Sequence, residues 1–316
     1  MSQLLKYTVV VPTYNEEKDI AKTLDCLLLV EYPDKEIIVI DDSTDNTPKI
    51  VSNYKDKGVV LIHPKERMGR SEARNIGIRA STGDVIIILN ADVIMHKQFI
   101  DEIKVHYERG YDSVTVFVEV ANQESVYARY IELWTKWEEE RGEYEERKVK
   151  NKGIYWSEGF SVKKSVLMKT SLFPTNFSVP MVAGEDVRLA DELRELGCKG
   201  IIDTDIKIQH IAPDNLQEYW KIRKGRGAGT PQVRRFIHKW SYSKIFFIAV
   251  LKSIKRIVQF VTIIPMLKHN YYLAKFSEHN RLTETLKLSW CWMVEQAAFS
   301  VGEFQSLFKI IIAEKK

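Results

Sequence analysis

Short runs of β-branched and aliphatic residues that empty into turns full of acids and amides constrain this chain more than any other feature. Tyr7 to Pro12 leads into Thr13–Glu17, Glu36 to Asp41 into Asp42–Asn46, and Asp84 to Leu89 into Asn90–Val93, with Val59 to His63 as a further run. Runs this apolar suit strands buried on both faces, as in a parallel sheet. Between them, residues 16–28, 48–54 and 71–80 carry apolar positions at helical spacing, and Asn15 is placed to cap the first of these helices. Strand and helix in alternation predict a doubly wound α/β sheet. Right-handed crossovers then gather the loops at 13–17, 41–46 and 90–93 at the carboxyl ends of the strands, where such sheets bind ligands.

Composition narrows the classes without naming one. The 316 residues, 45% hydrophobic and 28% charged, suffice for one large domain or a catalytic domain with an appendage. A net charge of +4 is too small to point to nucleic acid. Cys26, Cys198 and Cys291 are odd in number and far apart, which suits reduced thiols in a cytosolic setting. The first dozen residues lack the pattern of a secretory signal, and no stretch of 18 apolar residues predicts a spanning helix.

Further along, residues 124–148 read as a long solvated helix, 186–196 as a short amphipathic helix, and Lys221 to Arg235 as a basic loop. From Ile245 to Leu267 nearly every residue is apolar, but Lys252, Lys255, Arg256 and Gln259 share one helical face opposite Phe247, Ile254, Ile257, Val261 and Ile264. A second apolar segment runs from Leu286 to Ile312. A wide-faced basic amphipathic helix fits the membrane interface, with packing on the catalytic domain or against a second copy as the alternative.

The carboxylates in the loops carry the chemistry. Asp41 and Asp42 end a strand and can accept hydrogen bonds from a base or ribose, or one of them can serve as a turn residue. Asn90 and Asp92 follow a buried strand on the same side of an extended segment, and an oxygen pair of this kind suits Mg²⁺ or Mn²⁺ on a diphosphate.

Val9-Val-Val-Pro-Thr-Tyr-Asn-Glu16, Ile37-Ile-Val-Ile-Asp-Asp-Ser43, Gly69-Arg-Ser-Glu-Ala-Arg-Asn-Ile-Gly77, Thr82-Gly-Asp-Val-Ile-Ile-Ile-Leu-Asn-Ala-Asp92 and Gly184-Glu-Asp186 together resemble family-2 glycosyltransferases of the GT-A fold, over roughly residues 7–230. The resemblance implies that Pro12, Thr13, Tyr14 and Glu16 line a nucleoside pocket with Asp41 and Asp42, that Asp42 contacts the base, and that Gly69 and Arg74 support it. It implies Asp92 as metal ligand, Asp186 as the general base that deprotonates the acceptor hydroxyl, and Glu185 as its orienting neighbour. One departure stands out: the first acid of the family's Asp-any-Asp motif is Asn90 here, which can still coordinate a hard cation but adds no charge. The segment Lys221-Ile-Arg-Lys-Gly-Arg-Gly-Ala-Gly229 resembles the Arg-Gly segment of nonprocessive members. Arg223 and Arg226 are its candidates for the diphosphate. His210, after a strand, is a further candidate for the metal, with a structural role as the alternative. Trp134, Trp137 and Trp156 suit either an acceptor pocket or packing.

The expectation is a GT-A, Rossmann-like α/β domain over 1–236, with a donor half to about 120 and an acceptor half beyond it, followed by an amphipathic helical region at 237–316. Its expected activity is inverting transfer of a single sugar from a UDP- or GDP-sugar with Mn²⁺ or Mg²⁺, in the cytoplasm and peripheral to the membrane. The acceptor would be polyprenyl- or dolichyl-linked, no nucleic acid is involved, and an oligomer is open. A sugar nucleotidyltransferase would need a Gly-rich basic loop after the first strand, which Pro12–Glu16 does not offer. An inactive nucleotide-binding scaffold would draw its only support from Asn90.

Overall fold

The computed structural model describes residues 4–142 and 158–315. They form two compact units that interleave along the chain: the described parts of 1–121, 144–175 and 186–211, and those of 122–143, 176–185 and 212–316.

The first unit is a mixed sheet flanked by helices. Its strands are β1 (Tyr7–Thr13), β2 (Lys35–Asp41), β3 (Val59–Ile62), β4 (Val85–Ile88), β5 (Val93–Ile94), β6 (Ser113–Val120), β7 (Phe160–Lys163) and β8 (Gly200–His210). Their order is β3-β2-β1-β4-β7-β6-β8-β5. The first four are parallel, β7 runs antiparallel between β4 and β6, and β5 antiparallel to β8. Helices α1 (Ile20–Leu29), α2 (Thr47–Ser52), α3 (Arg70–Ala80), α4 (Phe99–Glu108), α6 (Lys164–Leu167) and α7 (Asp186–Glu195) belong to this unit, while α5 (Val126–Glu140) belongs to the other.

Side-chain alternation explains why the strands are apolar throughout. Val9, Val11, Ile37 and Val39 pack with Leu24 and Leu27 of α1 and Phe99 and Ile103 of α4. Their neighbours Val10, Ile38 and Ile40 pack on the other face with Ile78 of α3 and Leu189 and Leu193 of α7. Each such side chain contributes about 1.5–3 kcal/mol on burial. A Cβ at Gly77 would run into Val10 and Ile40, so glycine there lets α3 lie close on the sheet. Because Thr13 pairs with Asp41 in the parallel register, the loops after β1 and β2 emerge side by side. Asn15 does not cap α1 as expected. It sits at φ 57°, and its side chain instead accepts from Thr44 N at 2.9 Å, fastening one loop to the other.

The second unit is helical: α5, α8 (Leu216–Gln232), α9 (Tyr242–Thr262), α10 (Ile264–Leu273) and α11 (Arg281–Glu314), with a π-helical turn at Val233–Ile237. The segment expected as a basic loop at 221–235 is therefore helix. Its glycines, each costing about 1 kcal/mol against alanine in a helix interior, permit backbone contact. A Cβ at Gly227 would collide with the Phe299 carbonyl, and one at Gly302 with that of Lys224, so α8 and α11 meet without intervening side chains.

The helix expected at 124–148 is not merely solvated. In α5, Ala128, Tyr130 and Leu133 are buried, and Arg129 holds buried Glu284 at 2.7 Å; residues 143–148 of the expected helix lie outside those described. In α9 Lys252 and Lys255 are exposed. Arg256 points inward to Ser300 at 2.9 Å and Glu303 at 3.2 Å, whereas Phe247, Leu251, Ile254, Val258 and Val261 are exposed at successive helical turns. No helix among the described residues is long and apolar enough to cross a membrane.

Candidate functional site

At the carboxyl ends of β1 and β2 most of the polar groups hold the loops to each other. Thr13 Oγ1 and Ser43 Oγ both donate to Asp41 Oδ1, the former at 2.9 Å, and Asp41 is fully buried. Thr13 and Asp41 Oδ1 thus build the turn, while Asp41 Oδ2 is buried without a hydrogen-bond partner among the described residues, 3.5 Å from His63 Nδ1. Glu16 N donates to Thr47 Oγ1 at 2.9 Å, and Glu17 Oε2 accepts from Asn46 Nδ2 at 2.9 Å.

Asp42 is different. Its Oδ2 accepts from Met68 N at 2.7 Å and Gly69 N at 3.0 Å, which fixes the start of the loop before α3 and leaves Oδ1 for a ligand. Gly69 takes φ 76°, a conformation that favours glycine. The Arg67 guanidinium lies 3.9 Å from the centre of the Tyr14 ring, giving half-buried Tyr14 a cationic partner that residue pattern alone did not suggest. Pro12 and Glu16 are half-buried beside them in sequence.

The end of β4 holds the metal candidates. Asp92 leads into β5, and the pairing of Val93 with His210 on β8 brings Asp92 Oδ2 to 3.0 Å from His210 Nε2. Burial pushes the Asp92 carboxyl up, but the charge and hydrogen bond of His210, with Arg70 nearby, carry it below its ordinary range. Asp92 Oδ1 is buried and has no hydrogen-bond partner among the described residues. A carboxylate oxygen in that state beside an imidazole fits a divalent cation such as Mn²⁺. No group of three His, Cys, Asp or Glu that could hold a metal occurs among the described residues. The protein would supply Asp92 and His210, and other ligands would come from phosphate oxygens and water.

Asn90 does not join that pair. Its Oδ1 accepts from Arg74 Nη2 at 3.3 Å, and its Nδ2 donates to Glu158 Oε1 at 2.7 Å. Arg74 is fully buried, with its guanidinium 4.9 Å from the Phe173 ring centre. Asn90 thus bridges Arg74 and Glu158. Glu158 was not visible in the motifs, yet its position was computable once the strands were paired. The register Ile88 to Phe160 places 158 directly across from 90. An aspartate at 90 would face that carboxylate without a donor between them. Asn90→Asp is accordingly expected to lower thermal stability without tightening Mn²⁺ binding. Adding Glu158→Gln should recover the loss, with a coupling of about 0.5–3 kcal/mol in the double-mutant cycle. Additive effects in denaturation would show that the two side chains act separately.

Asp186 opens α7, where the helix dipole favours a negative group, and is half-buried in the first unit. Glu185 is buried and belongs to the second unit, after Gly184 at φ 80°. In that second unit Arg223 is buried, 3.0 Å from Glu295 and 5.0 Å from the Tyr219 ring centre. Burial works against its charge and Glu295 restores it, so the guanidinium joins α8 to α11. Arg226, one turn on, is exposed and lines a cavity of about 380 Å³. Trp134 and Trp137 pack 5.2 and 5.0 Å from the His269 ring inside the helical unit, the packing alternative, and Trp156 lies outside the described residues.

This arrangement has relatives. Over 111 residues the chain is 32% identical to the poly(ribitol-phosphate) β-N-acetylglucosaminyltransferase TarS of Staphylococcus aureus, a match covering 31% of this chain and 19% of that protein. It is 35% identical over 104 residues to the glycosyltransferase GlyG of Streptococcus pneumoniae, covering 32% and 34% of the two chains. The chain therefore spans only a minor part of the length of these curated relatives. Among solved structures, a mannosyltransferase of Pyrobaculum calidifontis in complex with GDP-Man and Mn²⁺ superposes with a TM-score of 0.59 at 18% identity, over 97% of this chain and 88% of that one. Residues 1–349 of TarS in complex with UDP-GlcNAc superpose with a TM-score of 0.53 at 14% identity, over 95% and 91%. The two structures share the fold. Residues 8–171, more than half of the chain, match the family model of Glycosyl transferase family 2, and the chain belongs to that family.

Proposed function

We propose that this protein is an inverting glycosyltransferase that moves one sugar from a nucleoside diphosphate sugar to an acceptor hydroxyl. The observation that carries the reading is the Asp92–His210 pair, with one carboxylate oxygen buried and unpartnered, at the strand edge that also presents Asp42 and Tyr14. Tyr14 with Arg67 offers a flat face to a base, and Asp42 Oδ1 an acceptor for its amino or imino hydrogen. A divalent cation at Asp92 would neutralise charge on the departing diphosphate. Asp186 takes the proton of the acceptor hydroxyl as it attacks the anomeric carbon from the face opposite the leaving group, which inverts that centre. The GDP-Man and UDP-GlcNAc in the related structures support a nucleoside diphosphate sugar as the donor class. Thermal unfolding with a panel of UDP- and GDP-sugars, each with Mn²⁺, Mg²⁺ or chelator, tests this. A bound donor at 100 times its Kd adds about 2.7 kcal/mol of stability. Neither protection nor turnover with any donor would end the reading.

We also propose that the protein works at a membrane surface, with an acceptor held there by a lipid. The support is α9, whose exposed stripe runs from Phe247, 62% exposed, to Val261, 76% exposed, while Arg256 faces inward. A helix turned this way leaves apolar area in water that the acyl boundary would cover, and the exposed Lys244, Lys255 and Lys268 can meet headgroups. Glutamates at Phe247, Ile254 and Val261 together are expected to move the full-length chain from the floating to the soluble fraction of liposomes containing anionic lipid. Equal flotation of variant and parent would remove the membrane role from α9.

A further inference from the structure

The cavity of about 380 Å³ in the helical unit is lined by cations and an aromatic wall: Arg226 and Thr230 from α8, Arg234 from the π-helical turn, then His238 and Trp240, with Gly184 at its edge. It lies at the small end of the roughly 300–1,000 Å³ typical of ligand pockets. Charge is unbalanced behind its wall. Arg234 reaches Glu303 Oε1 at 3.0 Å and Arg256 reaches Oε2 of the same carboxylate at 3.2 Å, with Glu303 fully buried. Two guanidiniums therefore share one acid in a region nearly closed to water, which leaves a surplus positive charge that burial disfavours. The Lys252 ammonium is lowered by burial and by Arg234, a sign of the same surplus. The π-helical turn also carries Arg234, and such turns recur at functional sites.

We propose that this cavity binds a phosphate group carried by the acceptor substrate. The inference rests on the glycosyltransferase reading and specifies its acceptor as a phosphorylated compound. A phosphate offers several oxygens to the forks of Arg226 and Arg234, and a donor hydroxyl in Thr230 and an imidazole in His238 complete the set. Every lining residue belongs to the helical unit, whereas Asp42, Tyr14, Asp92 and His210 belong to the sheet unit, so the cavity is a site separate in composition from the donor's. Gly184 stands two residues before Asp186, a chain length of at most about 7 Å. Trp240 is followed directly by the start of α9, whose apolar stripe suits a lipid tail on the same compound.

Calorimetric titration of the full chain separates the possibilities, with inorganic phosphate, dodecyl phosphate and dodecyl maltoside as probes, each with and without saturating UDP or GDP and Mn²⁺. Dodecyl phosphate is expected to bind, to remain bound when the nucleotide is saturating, and to weaken at least about tenfold in the Arg226→Gln/His238→Gln variant, since bonds to charged groups are the strong ones. Equal binding of inorganic phosphate would identify a water-soluble phosphorylated acceptor; a marked preference for dodecyl phosphate over both other probes would identify a lipid-linked one. Competition between nucleotide and dodecyl phosphate would overturn the proposal, because the cavity would then be the donor's own diphosphate site. Absence of binding, or equal binding to the variant, would overturn it as well. Failure of the glycosyltransferase reading is distinguishable: neither UDP nor GDP would bind in the same titrations.

Discussion

Asp186→Asn is expected to slow transfer by about 10²–10⁴-fold, the usual contribution of a positioned general base, while donor affinity stays within about a factor of two. The asparagine keeps the size and the hydrogen-bonding reach of the side chain at the opening of α7 but cannot accept the hydroxyl proton. Single-turnover rates at saturating donor, together with donor binding by calorimetry, separate the two effects. A loss of donor affinity equal to the loss in rate would move Asp186 from the proton transfer to the donor site. Glu185→Gln should have a different signature. Glu185 is buried, so its replacement should act mainly through folding and position, with a change in thermal stability accompanying any change in rate.

The second large effect is expected at Asp92. Partners that merely orient metal ligands commonly account for 10–100-fold in metal affinity or activity, so removal of the carboxylate itself should exceed roughly that range. Asp92→Ala should raise the Mn²⁺ concentration needed for half-maximal donor binding by more than about 100-fold. His210→Ala should fall between the variant and the parent, since the imidazole supplies one nitrogen donor and holds Oδ2 at 3.0 Å. Paramagnetic titration of free Mn²⁺ reads this directly without turnover. Unchanged Mn²⁺ affinity in Asp92→Ala would show that this carboxylate serves the loop and not the ion. Thermal unfolding of the same samples is the folding control, because Asp92→Ala also removes the 3.0 Å contact of Oδ2 with His210.

Much of the sheet was legible because burial on both faces leaves no ambiguity of period: Val9 to Val11 and Ile37 to Ile40 can only be buried strands, and the loops after them follow. What escaped the sequence was decided by contacts between distant segments. Nothing local distinguishes the surroundings of Asp41 from those of Asp42; only the fold brings Thr13 to one and the Gly69 amide to the other. Asn90 reads as a weakened metal ligand, and nothing local shows that Glu158, 68 residues away, lies across from it. Glycine carries two opposite messages. At Gly225, Gly227 and Gly229 its low helix propensity suggested a loop, yet the contact of Gly227 with Phe299 needs a helix without a side chain. The stripe on α9 was legible as an alternation of polar and apolar faces, but the inward turn of Arg256 was not, since it depends on Glu303, contributed by a different helix.

The bonds that fasten the loop after β1 to the loop after β2 have a consequence for how a donor is received. Asn15 to Thr44, Glu16 to Thr47 and Glu17 to Asn46 brace the two loops against each other. A nucleoside received at this proposed rim would freeze little further loop motion, an ordering that otherwise costs about 0.5–1.5 kcal/mol for each immobilised side chain. Nucleoside recognition should then behave as docking onto a rigid surface, with rapid association and little sensitivity to solvent viscosity. Any slow step in the catalytic cycle would belong to parts of the chain that these bonds do not reach.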